Sequence, residues 1–109
     1  MTSDANKSGR GYIYVEMRIS DPEGFKQYTA LSAPAVRAAG GRYIVRGATP
    51  EVLEGSWDRP RIAIVEFDTA AHARAFYDSA AYQAARAKRL GAADFRMALL
   101  EGPPDAVQL

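Results

Sequence analysis

Apolar and polar residues alternate strictly near the start of the chain. Side chains along a β-strand point to opposite faces in turn. One face therefore carries Ile13, Val15, Met17 and Ile19, and the other carries Tyr12, Tyr14, Glu16 and Arg18. This alternation predicts a first strand over residues 12–19, with one face turned toward the core.

A helix is predicted directly after this strand. Asp21 is a suitable N-cap and Pro22 suits the first helical position. Apolar residues then recur at helical spacing, at Phe25, Tyr28, Leu31, Ala35, Val36 and Ala39. Pro34 falls inside this pattern and predicts a kink or a break, because proline lacks the N–H that the helix needs. Gly40 and Gly41 predict the end of the helix.

The rest of the chain adds three strands and a second helical region. Strands are predicted over residues 42–48, 61–67 and 95–101, and a bend near Gly47 would let residues 51–55 continue the first of these. Asp68 or Thr69 caps the second helical region, which pauses at residues 78–79 and resumes over residues 80–90.

The order β-α-β-β-α-β is typical of an α+β, ferredoxin-like fold, in which helices cover one face of a four-stranded antiparallel sheet. The third predicted strand is apolar on both sides, because Ile62 and Ile64 oppose Ala63 and Val65. A sheet open to water on one face would alternate more strictly. We therefore expect a homodimer that packs sheet against sheet into a dimeric α/β barrel.

Length and composition limit the remaining possibilities. The 109 residues predict one domain over residues 10–102, with a disordered tail at 1–9 and a C-terminal tail at 103–109. A net charge of +1 gives no argument for nucleic acid or an anionic membrane as a partner. The chain has no cysteine and one histidine, so we expect no metal, haem or flavin cofactor. No apolar run is long enough for a membrane span, and we expect a cytoplasmic protein.

Arg46 and Glu66 are the leading candidates for catalysis. Counting along the second predicted strand places Arg42, Ile44 and Arg46 on one face. If that strand pairs with the next around a turn near Glu54, Glu66 lies opposite Arg42, and Arg46 lies opposite Ile62, about 13 Å away. The arginine could then hold a carboxylate, enol or quinone-like oxygen and the glutamate act as a base. The alternative is a purely structural ion pair.

Other polar and aromatic residues are candidates for ligand binding. Tyr28, Tyr77 and Tyr82 lie on predicted helices, where a phenol can reach a ligand oxygen or simply pack in the core. Glu54 and Trp57 flank the third strand and could line a pocket mouth, or the indole could anchor a loop.

Short motifs follow one another along the chain in a fixed order. They are Asp21-Pro22-Glu23, Tyr28, Gly40-Gly41-Arg42-Tyr43, Val45-Arg46-Gly47, Glu54-Gly55, Trp57, Val65-Glu66-Phe67, Tyr77-Asp78-Ser79, Tyr82, Arg89 and Leu100-Glu101-Gly102. This ordered series resembles the family called domain of unknown function thirteen-thirty, in the dimeric α/β-barrel superfamily. The resemblance implies the ferredoxin-like fold and a homodimer, but no established activity. It also implies that Arg89 reaches inward as a ligand-binding residue. Relatives in the wider superfamily include cofactor-independent monooxygenases, muconolactone-isomerase-like enzymes and haem proteins.

The sequence leaves three functions open. The first is a homodimeric, cofactor-independent acid–base enzyme, monooxygenase- or isomerase-like, that acts on an oxygen-rich or aromatic compound. The second is a protein that binds a small ligand without catalysis. The third is a structural or stress-related dimer, which needs no pocket of useful size.

Overall fold

The computed structural model describes residues 9–104. It contains four strands and three helices, which we number in chain order. They are β1 Gly11–Ile19, α1 Pro22–Ala38, β2 Arg42–Ala48, β3 Arg61–Phe67, α2 Ala70–Asp78, α3 Ala80–Arg89 and β4 Ala93–Glu101. The predicted tails fall largely outside the described residues, and the division into one domain with two tails stays a prediction.

The four strands form one antiparallel sheet in the order β2-β3-β1-β4. The α+β, ferredoxin-like architecture expected from the sequence is confirmed. Alternate residues of β1 are buried as predicted, with Ile13, Val15 and Met17 in the core beneath the helices. Because the other face of β1 carries Tyr12, Tyr14 and Glu16, we call that side of the sheet the open face. None of the described helices is long and apolar enough to cross a membrane.

Helix α1 begins and ends as predicted but is not broken. Asp21 occupies the N-cap position, although its side chain makes no capping hydrogen bond. At the other end, Gly40 has a φ of 79°, and the Gly41 N–H donates to the Val36 carbonyl at 2.9 Å, as in a Schellman motif. The predicted break at Pro34 is wrong, because α1 is continuous through it. Pro34 is exposed, so its ring needs no room in the core.

Strand β2 departs from simple alternation at two points. Tyr43 pairs with Val65 and Val45 pairs with Ile64, so Ile44 is an extra residue, and a second register shift lies between Arg46 and Ala48. Each extra residue in a β-bulge reverses which face the following side chains occupy. Arg42 therefore lies on the open face, whereas Arg46, paired with Ala63, lies on the face that the helices cover.

The chain between β2 and β3 forms a loop. Residues 49–60 hold neither helix nor strand, so the predicted continuation of β2 over residues 51–55 is wrong. The bulge that the sequence allowed for in that segment lies instead within β2, at Ile44 and Gly47. Gly47 adopts a φ of 73°, a conformation that favours glycine.

Candidate functional site

A cavity of about 110 Å³ lies between α1 and the covered face of the sheet. Its walls are mainly apolar and aromatic. They include Val15 and Met17 from β1, Phe25 and Tyr28 from α1, Tyr82 from α3 and Phe95 from β4. Helix α1 packs chiefly against α3 rather than against the sheet, which leaves this space beneath it. The cavity is of the size that a small organic molecule or a few water molecules occupy.

Two arginines stand at the mouth of the cavity. Arg46 and Arg61 are the charged residues among those lining the cavity. Both are exposed, whereas the other lining residues are buried or half-buried. The guanidinium of Arg46 lies 4.3 Å from the centre of the Tyr43 ring. Within the described part of the chain, neither arginine forms an ion pair with a carboxylate. The mouth is therefore positively charged.

A pair of phenols lies deeper in the wall. The hydroxyls of Tyr28 and Tyr82 are 3.2 Å apart, and both side chains are buried. Burial raises the pKa of Tyr28 well above its ordinary value, with a further contribution from the neighbouring phenol. The Tyr28 phenol therefore keeps its proton at any physiological pH, and either hydroxyl of the pair can donate to the other.

Arg89 is buried beside these phenols, and no carboxylate of residues 9–104 forms an ion pair with it. It is the last residue of α3 and is 7% exposed. Its Nε has no hydrogen-bond partner among the described residues, and its Nη2 lies 3.6 Å from Met97 Sδ. The guanidinium lies 4.1 Å from the centre of the Phe95 ring and 5.8 Å from that of Tyr28. A helix C-terminus and aromatic faces offset part of the cost of burying this charge.

Glu66 does not share a site with Arg46. It lies opposite Arg42, as predicted, but the bulge puts Arg46 opposite Ala63 on the other face. The expected shared face for Arg46 and Glu66 is therefore wrong. Glu66 instead pairs with Arg42 at 2.5 Å and accepts a hydrogen bond from the Tyr12 hydroxyl at 3.0 Å.

These partners also set the protonation of Glu66. Burial alone would raise the pKa of its carboxyl, but the hydrogen bonds from Tyr12 and Arg42 outweigh it and hold the pKa below the ordinary value. A carboxylate with a lowered pKa is a weaker base. The catalytic roles assigned to Glu66 and Arg46 stay predictions, and they no longer belong to one pocket.

A second polar cluster lies on the open face. Glu16 accepts from Arg96 at 2.7 Å and from the Tyr14 hydroxyl at 2.9 Å, and Arg96 also contacts Asp58 at 3.2 Å. The Arg96 guanidinium, followed by the Tyr14 hydroxyl, lowers the pKa of Glu16. Glu16 and Glu66 are thus each paired with an arginine and a tyrosine within the chain, which lowers the cost of covering this face with another molecule.

The remaining predicted residues lie away from the cavity. Glu54 and Trp57 are exposed in the loop that precedes β3 and are not among the residues that line it. Tyr77 stacks on Tyr82, with ring centres 5.4 Å apart, and lines a shallow depression with Arg74 and Leu99. Their roles in binding stay predictions.

Sequence reasoning missed most of the residues that line the cavity, Tyr43, Arg61 and Met97 among them. Each of these was assigned only to a strand. The signal for Tyr43 and Met97 was their placement on alternating positions of β2 and β4. Arg61 gave none, since an arginine at the first position of a strand is ordinarily solvated.

No cluster of three or more histidine or acidic side chains able to hold a metal ion occurs in the range 9–104. The polar side chains that line the cavity carry hydroxyl groups, on Tyr28, Tyr82, Thr29 and Ser32, or guanidinium groups, on Arg46 and Arg61, and all of them can donate hydrogen bonds. This donor set is suited to oxygen atoms of a ligand, especially anionic ones.

Comparison with known proteins agrees with the fold. A model of the family described as "Domain of unknown function (DUF1330)" matches residues 10–103. A protein of unknown function from Rhodopseudomonas palustris superposes with a TM-score of 0.69 at 20% identity, over 87% of this chain and 83% of that one. A dimeric ferredoxin-like protein of unknown function from Thermobifida fusca gives 0.60 at 19% identity, over 88% and 93%.

The similar structures also include an enzyme. SnoaB, a cofactor-independent oxygenase from Streptomyces nogalater, superposes with a TM-score of 0.60 at 11% identity, over 93% of this chain and 100% of that one. No curated protein matches the sequence. At these identities the structures establish a common fold.

Proposed function

Because the chain belongs to the DUF1330 family, whose description assigns no activity, we propose a function from the geometry of the cavity itself. The protein binds a small molecule with an apolar or aromatic body and an anionic oxygen group. The body fills the space between α1 and the sheet, and the anionic group lies at the mouth beside Arg46 and Arg61.

The charge distribution around the cavity supports this proposal. Its walls are apolar, the charged side chains at its mouth are both arginines, and no acidic residue is among those lining it. A neutral ligand would gain nothing from this arrangement, and a cation would be repelled. A carboxylate can accept paired hydrogen bonds from a guanidinium, which adds geometric selectivity to the attraction.

Matched probes test the proposal. We expect benzoate or octanoate to bind the wild type, measured by calorimetry, with benzyl alcohol and benzylamine binding at least about tenfold more weakly. The double variant Arg46→Ala, Arg61→Ala should weaken benzoate binding by about tenfold or more. Arg42→Ala is the control, because it removes an exposed arginine from the open face. Equal binding of the alcohol and the acid, or an equal loss in Arg42→Ala, would contradict the proposal.

A second candidate is a cofactor-independent enzyme acting on the same kind of ligand. It is favoured by the likeness in fold to the oxygenase SnoaB and by the protonated Tyr28 phenol in the cavity wall. A phenol that donates a hydrogen bond stabilises an enolate or phenolate oxygen, and so favours transfer of a proton from the neighbouring carbon to water. Glu66, on the other face, cannot serve as the base in this cavity.

Exchange of a carbon-bound proton distinguishes catalysis from binding. With acetoacetate in deuterium oxide, wild-type protein should accelerate exchange at the methylene carbon, followed by NMR. Tyr28→Phe should slow it by about 10²-fold, the range for one oxyanion donor, and Glu66→Gln should leave it unchanged. If the wild type gives no acceleration while benzoate still binds, the non-catalytic function remains.

The open face carries the proposed homodimer interface. Leu100 is exposed and Ile64 half-buried on this face, and solved structures of the same fold include dimers. A second copy placed on this face would bury that surface, and the helices and the cavity would remain on the outside of the sheets.

A further inference from the structure

Tyr28 and Tyr82 in the cavity wall, together with Arg89 behind them, form a group with more hydrogen-bond donors than acceptors. The Tyr82 hydroxyl is 3.5 Å from Met97 Sδ and Arg89 Nη2 is 3.6 Å from the same sulfur. Two donors therefore converge on one thioether, which is a weak acceptor.

The hydrogen bond between the two tyrosines does not remove this excess of donors. Two hydroxyls that face each other at 3.2 Å use one of their two protons between them. The other proton reaches the Met97 sulfur or has no acceptor. Arg89 contributes further N–H groups, and its Nε is unpartnered among the described residues although the side chain is 7% exposed.

The buried positive charge of Arg89 indicates an anionic ligand more strongly than the count of donors does. A buried guanidinium without a carboxylate is costly, because desolvation is offset only by aromatic faces and the helix terminus. Arg89 is not itself among the residues that line the cavity, but Tyr28, Phe95 and Met97, which contact it, are. An anionic oxygen entering from the cavity would be the missing acceptor for this group of donors.

We infer that the ligand is a two-ended oxyanion, held at the mouth by Arg46 and Arg61 and at its inner end by Arg89 with the Tyr28–Tyr82 pair. The ligand class is an apolar or aromatic compound with a carboxylate at one end and a second carboxylate, phenolate or enolate oxygen at the other. This inference rests on the proposed function, because it takes the first anionic group to lie at the mouth.

Paired probes that differ only at the far end test the inference. Benzoate is compared with terephthalate, hexanoate with adipate, and octanoate with suberate, by calorimetry on the wild type. We expect the diacid of at least one pair to bind about tenfold tighter than its monoacid, through charge-assisted hydrogen bonds at the inner end. Arg89→Met, which keeps an unbranched side chain without charge, should abolish that preference and leave the monoacid within about twofold.

The melting temperature gives a second, independent readout. Removal of an unpaired buried charge in favour of an apolar side chain is expected to stabilise the unliganded protein. Arg89→Met should therefore melt at a higher temperature than the wild type. A lower melting temperature would show that Arg89 is there for stability, and it would overturn the inference.

Binding outcomes separate this inference from the proposed function. If the monoacids bind and no diacid is preferred, the inner site is refuted while the mouth remains. If neither acid of any pair binds, the proposed function fails and the inference fails with it. Arg86→Met is the control for the loss of a nearby basic residue from the same helix, and it should keep the diacid preference.

Discussion

Glu66 has a well-defined role at the scale of single residues, independent of any ligand. Its side chain is 14% exposed and pairs with Arg42, while the Tyr12 hydroxyl donates to its second oxygen. Both partners favour the charged carboxylate, so its pKa in the folded protein lies below the ordinary range. A group of this kind stabilises the fold while it is ionised and loses that contribution in acid.

Glu66→Gln should therefore destabilise the protein in a pH-dependent manner. At pH 7 we expect a loss of about 1–2 kcal/mol, because the amide cannot replace a charged acceptor. The folded pKa is lowered, so the difference from wild type is full above about pH 5 and shrinks as the pH falls below about 4. Thermal melts across this range measure it. Glu51→Gln, in the exposed loop, is the control and should change little. A difference that stays constant down to pH 3 would contradict this account.

Elements as wholes were largely predictable from the sequence, and the exceptions have identifiable physical causes. Alternation marked β1, and Gly40 with Gly41 marked the end of α1. The side chains of β2 beyond Tyr43 were assigned to the wrong faces of the sheet, because the prediction assumed a regular strand without a β-bulge. Ile44 is as suitable for a regular strand as for a bulge, so its place became visible only through the pairing of β2 with β3.

Helix α1 gives a prediction that follows from the uninterrupted course of its backbone. Pro34 supplies no N–H to the helix and its ring crowds the preceding turn, which costs about 3 kcal/mol relative to alanine. Part of this is recovered because proline also restricts the unfolded chain. Pro34→Ala should thus stabilise the protein by about 1–3 kcal/mol in chemical denaturation.

Pro22 provides the matched control for this substitution. It lies at the start of the same helix, where the missing N–H has no partner to lose. Pro22→Ala should therefore give no gain. Equal gains from the two substitutions, or none from Pro34→Ala, would show that interior strain in α1 is absent.

At the scale of the whole molecule, the sequence predicted the fold and part of the site. Tyr28, Tyr82 and Arg46 surround the cavity, whereas Glu54 and Trp57 lie outside it. The difference arises because sequence patterns give the face of each element but not the spacing between layers. The gap beneath α1 depends on how that helix packs against α3, which no local pattern records.

The open face predicts assembly. Light scattering should give about twice the chain mass of 11.8 kDa. Leu100 is 50% exposed and pairs with Tyr12 on the open face, so Leu100→Arg would place a charge in the proposed interface and should yield folded monomer. Leu90, 57% exposed at the end of α3, is the control, and Leu90→Arg should remain dimeric. A monomeric wild type at micromolar concentration would refute the interface.

The two register shifts of β2 also make the borders of the sheet unequal. Strand β2 forms one border and β4 the other. Strand β4 pairs with β1 at nine consecutive residues without a register shift. The unpaired N–H and C=O groups along the outer edge of β4 can therefore form hydrogen bonds with another extended segment. The outer edge of β2 is irregular at Ile44 and Gly47 because of the register shifts, and an irregular edge pairs poorly with an added strand. Misassembly by strand addition is therefore directed to β4, and β2 is protected by the same irregularity that turns Arg46 toward the cavity.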